Sequence, residues 1–563
     1  MYNITFFTFA SVLMLLNILK DKDKKQFLIN QVNIFYNYTL GFDILNVDLF
    51  KTANKLLKSR LTNCVCFSDF KYLYIDEHNQ VKYGQLNPEG RHWDSSWEIK
   101  LVNDMPSDIL VDLMVSAESL FHESRFVNNG QPYIRASLSP FVLEVGDESF
   151  PMYPGVKIYR DGVAILYFQF DGTWGGINDD EFISSYVNMS HRYFDKIWID
   201  AKLQMLDGEI ALGNSFEDVF SIGGSYLDGR KIRKLKKRMK ENGMKRLSDS
   251  LEKNGRVFSF DEHKEWILHQ VAGTEDNESW ESTIEICRSI YSNVISSILI
   301  PKDSNLKSYG YHWQGRPSVS LLRYDKQPYK KNILLKDFSG MLSGILNRAD
   351  ILENNRALPK DLRMFEDYCF HANRSIYLWT WLKGVDEPED VWEDKNTNSR
   401  ILENQVRTEQ VEYHNMSISR ACAWANTPPS ELHLFSSYTI LAEAENKIYH
   451  SSISGEVSDA LSYLIKKFGT GGLISSAKEV AKFHLDELKY RADSVRNKSN
   501  YWLTFIFGLV GVTSFAEFAI NPLILSLWGW KSKIIVPFIS FGVSAVFVLV
   551  ISMFIWYVTN RKG

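Results

Sequence analysis

Residues 501–520, Y-W-L-T-F-I-F-G-L-V-G-V-T-S-F-A-E-F-A-I, and 534–558, I-I-V-P-F-I-S-F-G-V-S-A-V-F-V-L-V-I-S-M-F-I-W-Y-V, are two apolar stretches without a Lys or Arg in either. A helix rises about 1.5 Å per residue, so roughly 20 apolar residues match the ~30 Å hydrocarbon core of a bilayer. Tyr501 to Ile520 and Ile534 to Val558 each meet that length. The short linker between them contains Asn521, Pro522 and Trp528-Gly529-Trp530. The C-terminus therefore reads as a two-helix transmembrane hairpin.

Upstream, Gly469-Thr470-Gly471-Gly472 reads as a flexible hinge or helix cap, and neither Gly nor Pro follows until past Asn500. Leu473, Ala477, Val480, His484, Leu488, Ala492 and Val495 recur at three- and four-residue steps, which is one apolar stripe of a helix. The stripe enters Tyr501 without a breaker. The spacing predicts one continuous stalk and span; the alternative is a helix packed on its own globular part. Lys and Arg near the spans divide six to two between the outer flanks (Lys489, Arg491, Arg496, Lys498, Arg561, Lys562) and the linker (Lys531, Lys533). By the positive-inside rule both termini are expected to be cytosolic, in a multi-pass protein of the cell's inner (plasma) membrane.

Within the first span Thr504, Gly508, Gly511, Ser514 and Glu517 succeed one another at three- and four-residue steps and end near Asn521. Small residues let membrane helices approach closely, which gives one reading. The other is a pore lining built by several copies, in which Glu517 favours cations. Glu517 at the interface, merely solvated, is the third.

A cytosolic domain, a long helix entering a first span, a short outer loop, a second span and a basic tail together resemble the CorA-type divalent-cation channels. The signature of that family is Gly-Met-Asn at the outer end of the first span. Here Phe518-Ala519-Ile520-Asn521 stands in its place and only the Asn is retained. Trp528-Gly529-Trp530-Lys531 is similar to the aromatic outer loop. The resemblance covers about 90 residues and implies a pentamer in which Asn521 offers its amide oxygen to a hydrated cation such as magnesium, an ion that sheds water reluctantly. A large unrelated domain ahead of the hairpin is similar to the CorA branch associated with type III CRISPR systems. That branch implies gating by an adenylate-type second messenger, such as a conjugate of S-adenosylmethionine and AMP, in antiviral defence.

The chain has 563 residues, 64 basic against 68 acidic side chains, and a net charge of −4. That is room for two or three domains, with no global bias toward nucleic acid. Cys64, Cys66, Cys287, Cys369 and Cys422 are odd in number and scattered, which fits a reducing compartment. Cys64-Val65-Cys66 lies in a strand-like run that puts both thiols on one face, where packing is the expected role and metal or redox chemistry the alternative. Ile4 to Leu19 reads as a buried helix or strand, or as a third membrane-associated segment.

Phe70 to Ile75, Trp97 to Val102, Phe141 to Val145, Lys157 to Tyr159 and Val163 to Phe170 read as strands. Asn87-Pro88-Glu89-Gly90, Gly130-Gln131-Pro132 and Asp161-Gly162 read as turns. Thr283 to Ile300, Leu362 to Leu382 and the polar Arg400 to Ala425 read as helices, with a break at Asp386-Glu387-Pro388-Glu389-Asp390 and an end at Thr427-Pro428-Pro429. The expected fold is α/β, β-rich at first and helical later. Its parts are an N-terminal segment 1–25, a mixed cytosolic sensor domain 26–280, a mainly helical region 281–470, a stalk helix 471–500 and the CorA-like hairpin 501–563.

Arg230, Lys231, Arg233, Lys234, Lys237 and Arg238 dominate a run, Arg230 to Arg246, whose single acid is Glu241. It reads as a basic amphipathic helix ending near Gly243. It is either a solvated surface helix or a site for a phosphate-bearing ligand, RNA or anionic lipid. Ser221-Ile222-Gly223-Gly224-Ser225 and Gly172-Thr173-Trp174-Gly175-Gly176 read as glycine turns, the latter followed by Asp179-Asp180-Glu181, whose acids suit either a hard cation or solvent. Asp76-Glu77-His78 and Asp261-Glu262-His263 read as solvated turns. No hydrolase elbow, zinc motif or kinase set is present, which favours a sensor or channel over an enzyme. The expected function is a ligand-gated, homo-oligomeric channel or transporter. The alternative is a binding module for nucleotide, nucleic acid or lipid that the hairpin only tethers.

Overall fold

The computed structural model describes residues 27–76, 78–86, 107–127, 130–222, 229–261, 264–271, 282–302, 311–349, 358–384, 395–452, 454–528 and 535–560. Ile4 to Leu19, Asn87 to Gly90, Trp97 to Val102, Gly223 to Ser225, Glu262-His263, Asp386 to Asp390 and Gly529-Trp530 lie outside them. The chain forms two units, Met1–Lys478 and Glu479–Gly563.

The first unit is built on one sheet of 14 strands. They are β1 (Leu28–Phe42), β2 (Cys64–Phe67), β3 (Lys71–Ile75), β4 (Val81–Gln85), β5 (Tyr133–Ser137), β6 (Phe141–Val145), β7 (Glu148–Tyr159), β8 (Val163–Asn178), β9 (Lys196–Ile199), β10 (Gly255–Asp261), β11 (Lys264–Gln270), β12 (Tyr311–Tyr324), β13 (Tyr368–Ala372) and β14 (Tyr377–Trp381). The spatial order is β10-β11-β9-β6-β7-β8-β1-β12-β14-β13, and β5 carries β2, β3 and β4 off β7. Among the described residues only β12 and β14 pair in parallel. The sheet thus takes β12, β13 and β14 from the stretch 281–470, which sequence patterning assigns mainly to helix.

β1 explains the layering. Val32, Ile34, Tyr36, Tyr38 and Leu40 alternate with Gln31, Asn33, Phe35, Asn37 and Thr39, and all ten are buried. A strand sends successive side chains to opposite faces, so both faces must be covered. The apolar face joins the large core, to which the helices Leu49–Lys58, Ile284–Ile298 and Ser339–Asn347 contribute Leu56, Leu57, Ile290, Val294, Met341 and Ile345. Each fully buried aliphatic there contributes about 1.5–3 kcal/mol. The other face is covered by the helices Ser107–Phe126 and Lys395–Asn426.

Cys64 and Cys66 share one face of β2, and Val65 takes the other. All five thiols are free and buried. Thr283 caps the helix Ile284–Ile298, and Thr427 follows the helix Lys395–Asn426. Gly162, at φ 85°, turns β7 into β8. Asp76 accepts from Gln80 N–H in an exposed turn.

Three expectations are corrected. Leu362 to Leu382 is not a helix but the hairpin β13–β14. Asn373 Oδ1 accepts from the backbone of Ser375 and Ile376 to make the turn, and Phe370 stacks on Trp379 at 3.7 Å. Cross-strand aromatic packing outweighs the three-and-four spacing there. Gly172 to Gly176 is not a turn but part of β8. The register slips between Thr173 opposite Gln31 and Ile177 opposite Ile29, and Gly176 absorbs the irregularity at φ 121°. Asp179, Asp180 and Glu181 form the first turn of a short helix, where negative charge is favourable. Gly243 does not end its helix, which runs Gly229–Leu251. A Cβ there would stand 2.8 Å from Leu212 Cδ1, so the glycine serves close packing. Of the two readings of the glycine run at Gly469, hinge or helix cap, the structure has the cap: Gly469, at φ 83°, follows the helix Gly455–Lys467, and Thr470 already begins the next.

Candidate functional site

The helix Lys395–Asn426 reads as polar, yet Asn404, Gln405, Thr408, Glu409, Gln410, Glu412, Asn415 and Arg420 on it are all buried. Buried charge is costly unless paired and hydrogen-bonded. The sheet supplies the partners at alternating positions. Glu409 accepts from Arg135 of β5 and, at 3.3 Å, from Lys157 of β7, whose ammonium also reaches Glu123 at 2.7 Å. Lys157 lies 4.1 Å from the centre of the Tyr133 ring. Burial alone would push the Glu409 carboxyl up, but Arg135 and Lys157 outweigh it and hold the carboxyl below the usual carboxylate range.

One turn on, Glu412 takes Arg316 Nη1 at 2.9 Å on both oxygens, Tyr377 OH at 2.7 Å and Thr39 Oγ1 at 3.0 Å. Gln405 donates to Asn37 at 2.7 Å. Arg420 donates to Asp161 and to the carbonyls of Phe42 and Asp161. The result is a polar seam about four helical turns long, running from Asn37 on β1 to the β7–β8 turn. Sequence patterning missed it. Its signals are the polar series Gln405, Glu409, Glu412 at helical spacing and the Asn and Thr residues alternating with apolar ones in β1.

Beside the seam lies a cavity of about 330 Å³ lined by, among others, Glu123, Tyr159, Asp161, Tyr413, His414 and Lys447. Tyr159 and Tyr413 face each other at 4.3 Å. The Tyr159 hydroxyl is buried with no hydrogen-bond partner among the described residues. Burial pushes the His414 imidazole down to about 4, so it lines the cavity uncharged at neutral pH.

The seam continues into the next helix. Asn415 donates to Gln314 at 2.6 Å and accepts from the hydroxyl of Thr470 at 2.5 Å. Thr470 is the first residue of a helix that runs without interruption to Phe515, so the expected stalk and first span are one element. Among the described residues one helix, Thr470–Leu527, is long and apolar enough to cross a membrane. Its apolar window has a mean hydropathy of 1.8 and is 12% buried, which is not the burial of a soluble core. A shorter apolar helix follows, Ile535–Val550 within the helix Ile535–Asn560.

Asn521-Pro522 is not a loop, which corrects the expected linker. Ala516–Ile520 form one wide turn in which Asn521 N–H donates to Ala516 O, and the helix Asn521–Trp528 follows at once. Proline lacks an N–H and its ring collides with the carbonyl four residues back, and a wide turn ahead of it relieves both. Within the second unit Val512, Ala516, Ile524, Val536, Ser540 and Ser544 are buried, and Phe515 stacks on Phe547. Thr504, Gly511, Ser514 and Glu517 are exposed and Gly508 is half-buried. A Cβ on Gly508 or Gly511 would meet nothing. Asn521 is half-buried, and its amide oxygen has no hydrogen-bond partner among the described residues.

Of the basic run, Lys234, Lys237 and Arg238 sit on the helix Gly229–Leu251, with Lys234 and Lys237 exposed and Arg238 exposed beside them. Arg230, Lys231 and Arg233 belong to the same helix, with side chains outside the described residues. Among the described residues no part of the seam comes from this run. No family model matches the chain, and no curated protein matches it.

Proposed function

We propose that the chain is a homo-oligomeric membrane channel or transporter of CorA-like type, gated from the cytosol by a small ligand. One observation carries the reading: the helix that enters the apolar segment begins at Thr470, whose hydroxyl is bonded to Asn415 in the polar seam. A buried hydrogen-bond network has few arrangements of equal energy, so a ligand that reorders it biases whatever is bonded to its end. Thr504, Gly511, Ser514 and Glu517 are exposed and Gly508 is half-buried with open space beside it, which leaves them for contact between copies or for a water path. Asn521, with its amide oxygen unmet, is the residue best suited to a hydrated divalent cation such as magnesium. By the same resemblance the assembly is a pentamer in the inner membrane with both termini cytosolic. Its effector is then an adenylate-type second messenger of type III CRISPR antiviral defence.

The test is ion flux into liposomes holding the purified chain, with and without nucleotide effectors, together with the mass of the assembly. Effector-dependent flux that Glu517→Gln or Asn521→Ala alters is the expected result. A monomer without flux under any effector sinks the reading. The tethered-module alternative rests on the exposed Lys234 and Lys237: it expects removal of residues 501–563 to leave ligand binding intact and an unrelated anchor to restore activity.

A further inference from the structure

A cleft of about 210 Å³ opens over β1 and β12, and the seam residues Asn37 and Arg316 are among those lining it. Its floor is aromatic: Tyr36, Tyr38 and Trp313 line it, and Gly315 beside them leaves the rings uncovered, since a Cβ there would stand 3.2 Å from Tyr38. Trp313 is 44% exposed, which puts an indole face at the mouth. Arg348 forms the wall. It follows the helix Ser339–Asn347 in the left-handed region at φ 54°, a conformation that favours glycine.

That side chain is held firmly and left uncompensated. Arg348 Nε donates to Asn188 Oδ1 at 2.9 Å, and Asn188 Nδ2 returns a bond to Arg348 O at 3.1 Å. Nη2 reaches Val187 O and Ser190 Oγ at 3.3 and 3.4 Å. All three acceptors are neutral. Among the described residues no carboxylate pairs with this guanidinium, and burial pulls its pKa down with no acid to restore it. The one acid lining the cleft, Glu285, is already paired with Arg288 at 2.6 Å and accepts from Tyr38 OH. Arg288 in turn lies 4.0 Å from the centre of the Trp313 ring. Glu285 and Arg288 cancel, and Arg316, which also lines the cleft, is paired with Glu412, so Arg348 leaves one net positive charge over an aromatic floor.

A rigid, half-buried guanidinium with neutral neighbours is a planar donor set for a phosphate or carboxylate, and exposed aromatic faces stack on a ring. We propose that this cleft binds a small aromatic phosphate of the mononucleotide class, its anionic group on Arg348 and its ring against Trp313. The cleft is smaller than most ligand sites, which suits one nucleotide unit of a larger molecule extending from the mouth. The inference deepens the gating reading by naming where an effector sits.

The test is calorimetric titration of the full chain in detergent with 5′-AMP, adenosine and inorganic phosphate. Binding of 5′-AMP at least about tenfold tighter than of adenosine or phosphate is expected, with a loss of about tenfold or more in Arg348→Ala and a smaller loss in Arg348→Lys. Trp313→Ala, at a ring 44% exposed, is expected to weaken 5′-AMP several-fold while leaving phosphate unchanged. Equal affinity for phosphate and 5′-AMP, no binding of 5′-AMP at millimolar concentration, or 5′-AMP binding indifferent to both Trp313→Ala and Arg348→Lys overturns the proposal. Flux measured on the same preparations keeps the two readings apart: Arg348-dependent binding without flux sinks only the channel, and gated flux indifferent to Arg348 and Trp313 sinks only this site.

Discussion

Two helices of this chain reverse the usual relation between polarity and burial. Lys395–Asn426 carries Glu409 at 0% exposure and Glu412 at 1%, whereas the apolar stretch after Tyr501 leaves Trp502, Phe507 and Val510 more than half exposed. Each inversion has a different remedy. The polar helix is satisfied within the first unit, because the sheet presents Arg135, Lys157 and Arg316 where its carboxylates fall. Among the described residues the apolar helices find only part of their partner surface in each other, which is a weak hint of membrane anchoring. A lipid bilayer would supply the rest without asking for any polar complement.

The comparison breaks most sharply at Glu409. Glu409→Ala leaves Arg135 and Lys157 buried without their shared carboxylate, and removal of one partner of a buried ion pair costs about 3–5 kcal/mol. A fall in melting temperature of the purified protein measures it. A change under about 1 kcal/mol would mean that water reaches the seam and that the helix is polar because it is wet. Glu409→Gln, which keeps one acceptor oxygen, should cost less than Glu409→Ala.

Next in size is a charge in the apolar segment. Val510→Lys or Val546→Lys, both at exposed apolar positions, should each cost about 2.5–3.5 kcal/mol of insertion if the residue lies near a bilayer centre. Resistance of the protein to alkaline carbonate extraction from membranes reports it. The same change at exposed Val257 in the first unit should leave the membrane fraction untouched. Equal behaviour at Val510 and Val257 would remove the membrane from the comparison.

The seam and its flanks also set a pH response. His414 is held at about 4, and burial holds His371 below its usual value. A depressed imidazole stays neutral in the folded state while the unfolded chain takes up the proton. Stability is complete above about pH 6.5 and falls as pH drops toward 4, at up to about 1.4 kcal/mol per pH unit for one group. Glu409 acts later. Its carboxyl is depressed, so its contribution is whole above the unfolded value and is lost as pH falls through the folded one. Melting temperatures at pH 7, 6 and 5 should therefore decline before the carboxylates titrate, and His414→Gln should flatten that first decline.

Legibility in the sequence follows the same division. The apolar stretches, the unbroken stalk and the strands at Phe141 to Val145 and Val163 to Phe170 were readable because one periodicity dominates each. Leu362 to Leu382 was misread because its aromatic residues satisfy both periods, and only the register of β14 on β12 selects the strand. Asn521-Pro522 looked like a break because a proline usually is one. The chain instead widens a single turn at Ala516–Ile520 and continues. The seam was illegible for a more basic reason: a polar helix face and a polar strand face each look solvated alone, and burial becomes visible only when Glu412 and Arg316 are known to meet. Arg348 was hidden likewise, since nothing local marks an arginine whose neighbours lack a carboxylate.

The smallest expected effect joins the two regions. Thr470→Val keeps the shape of the side chain and removes the hydroxyl that donates to Asn415 Oδ1. One neutral hydrogen bond contributes about 0.5–1.5 kcal/mol, and Asn415 keeps its bond to Gln314, so the melting temperature should move by only a few degrees at most. If that bond ties the seam to the helix entering the apolar segment, its loss should alter effector-dependent flux far more than stability, while Thr439→Val, whose hydroxyl bonds no seam residue, alters neither. Thr439 bonds only the carbonyl four residues back on its own helix, so it controls for loss of a hydroxyl as such. Unchanged gating in Thr470→Val would mean that the helix continues past Thr470 for reasons of packing alone.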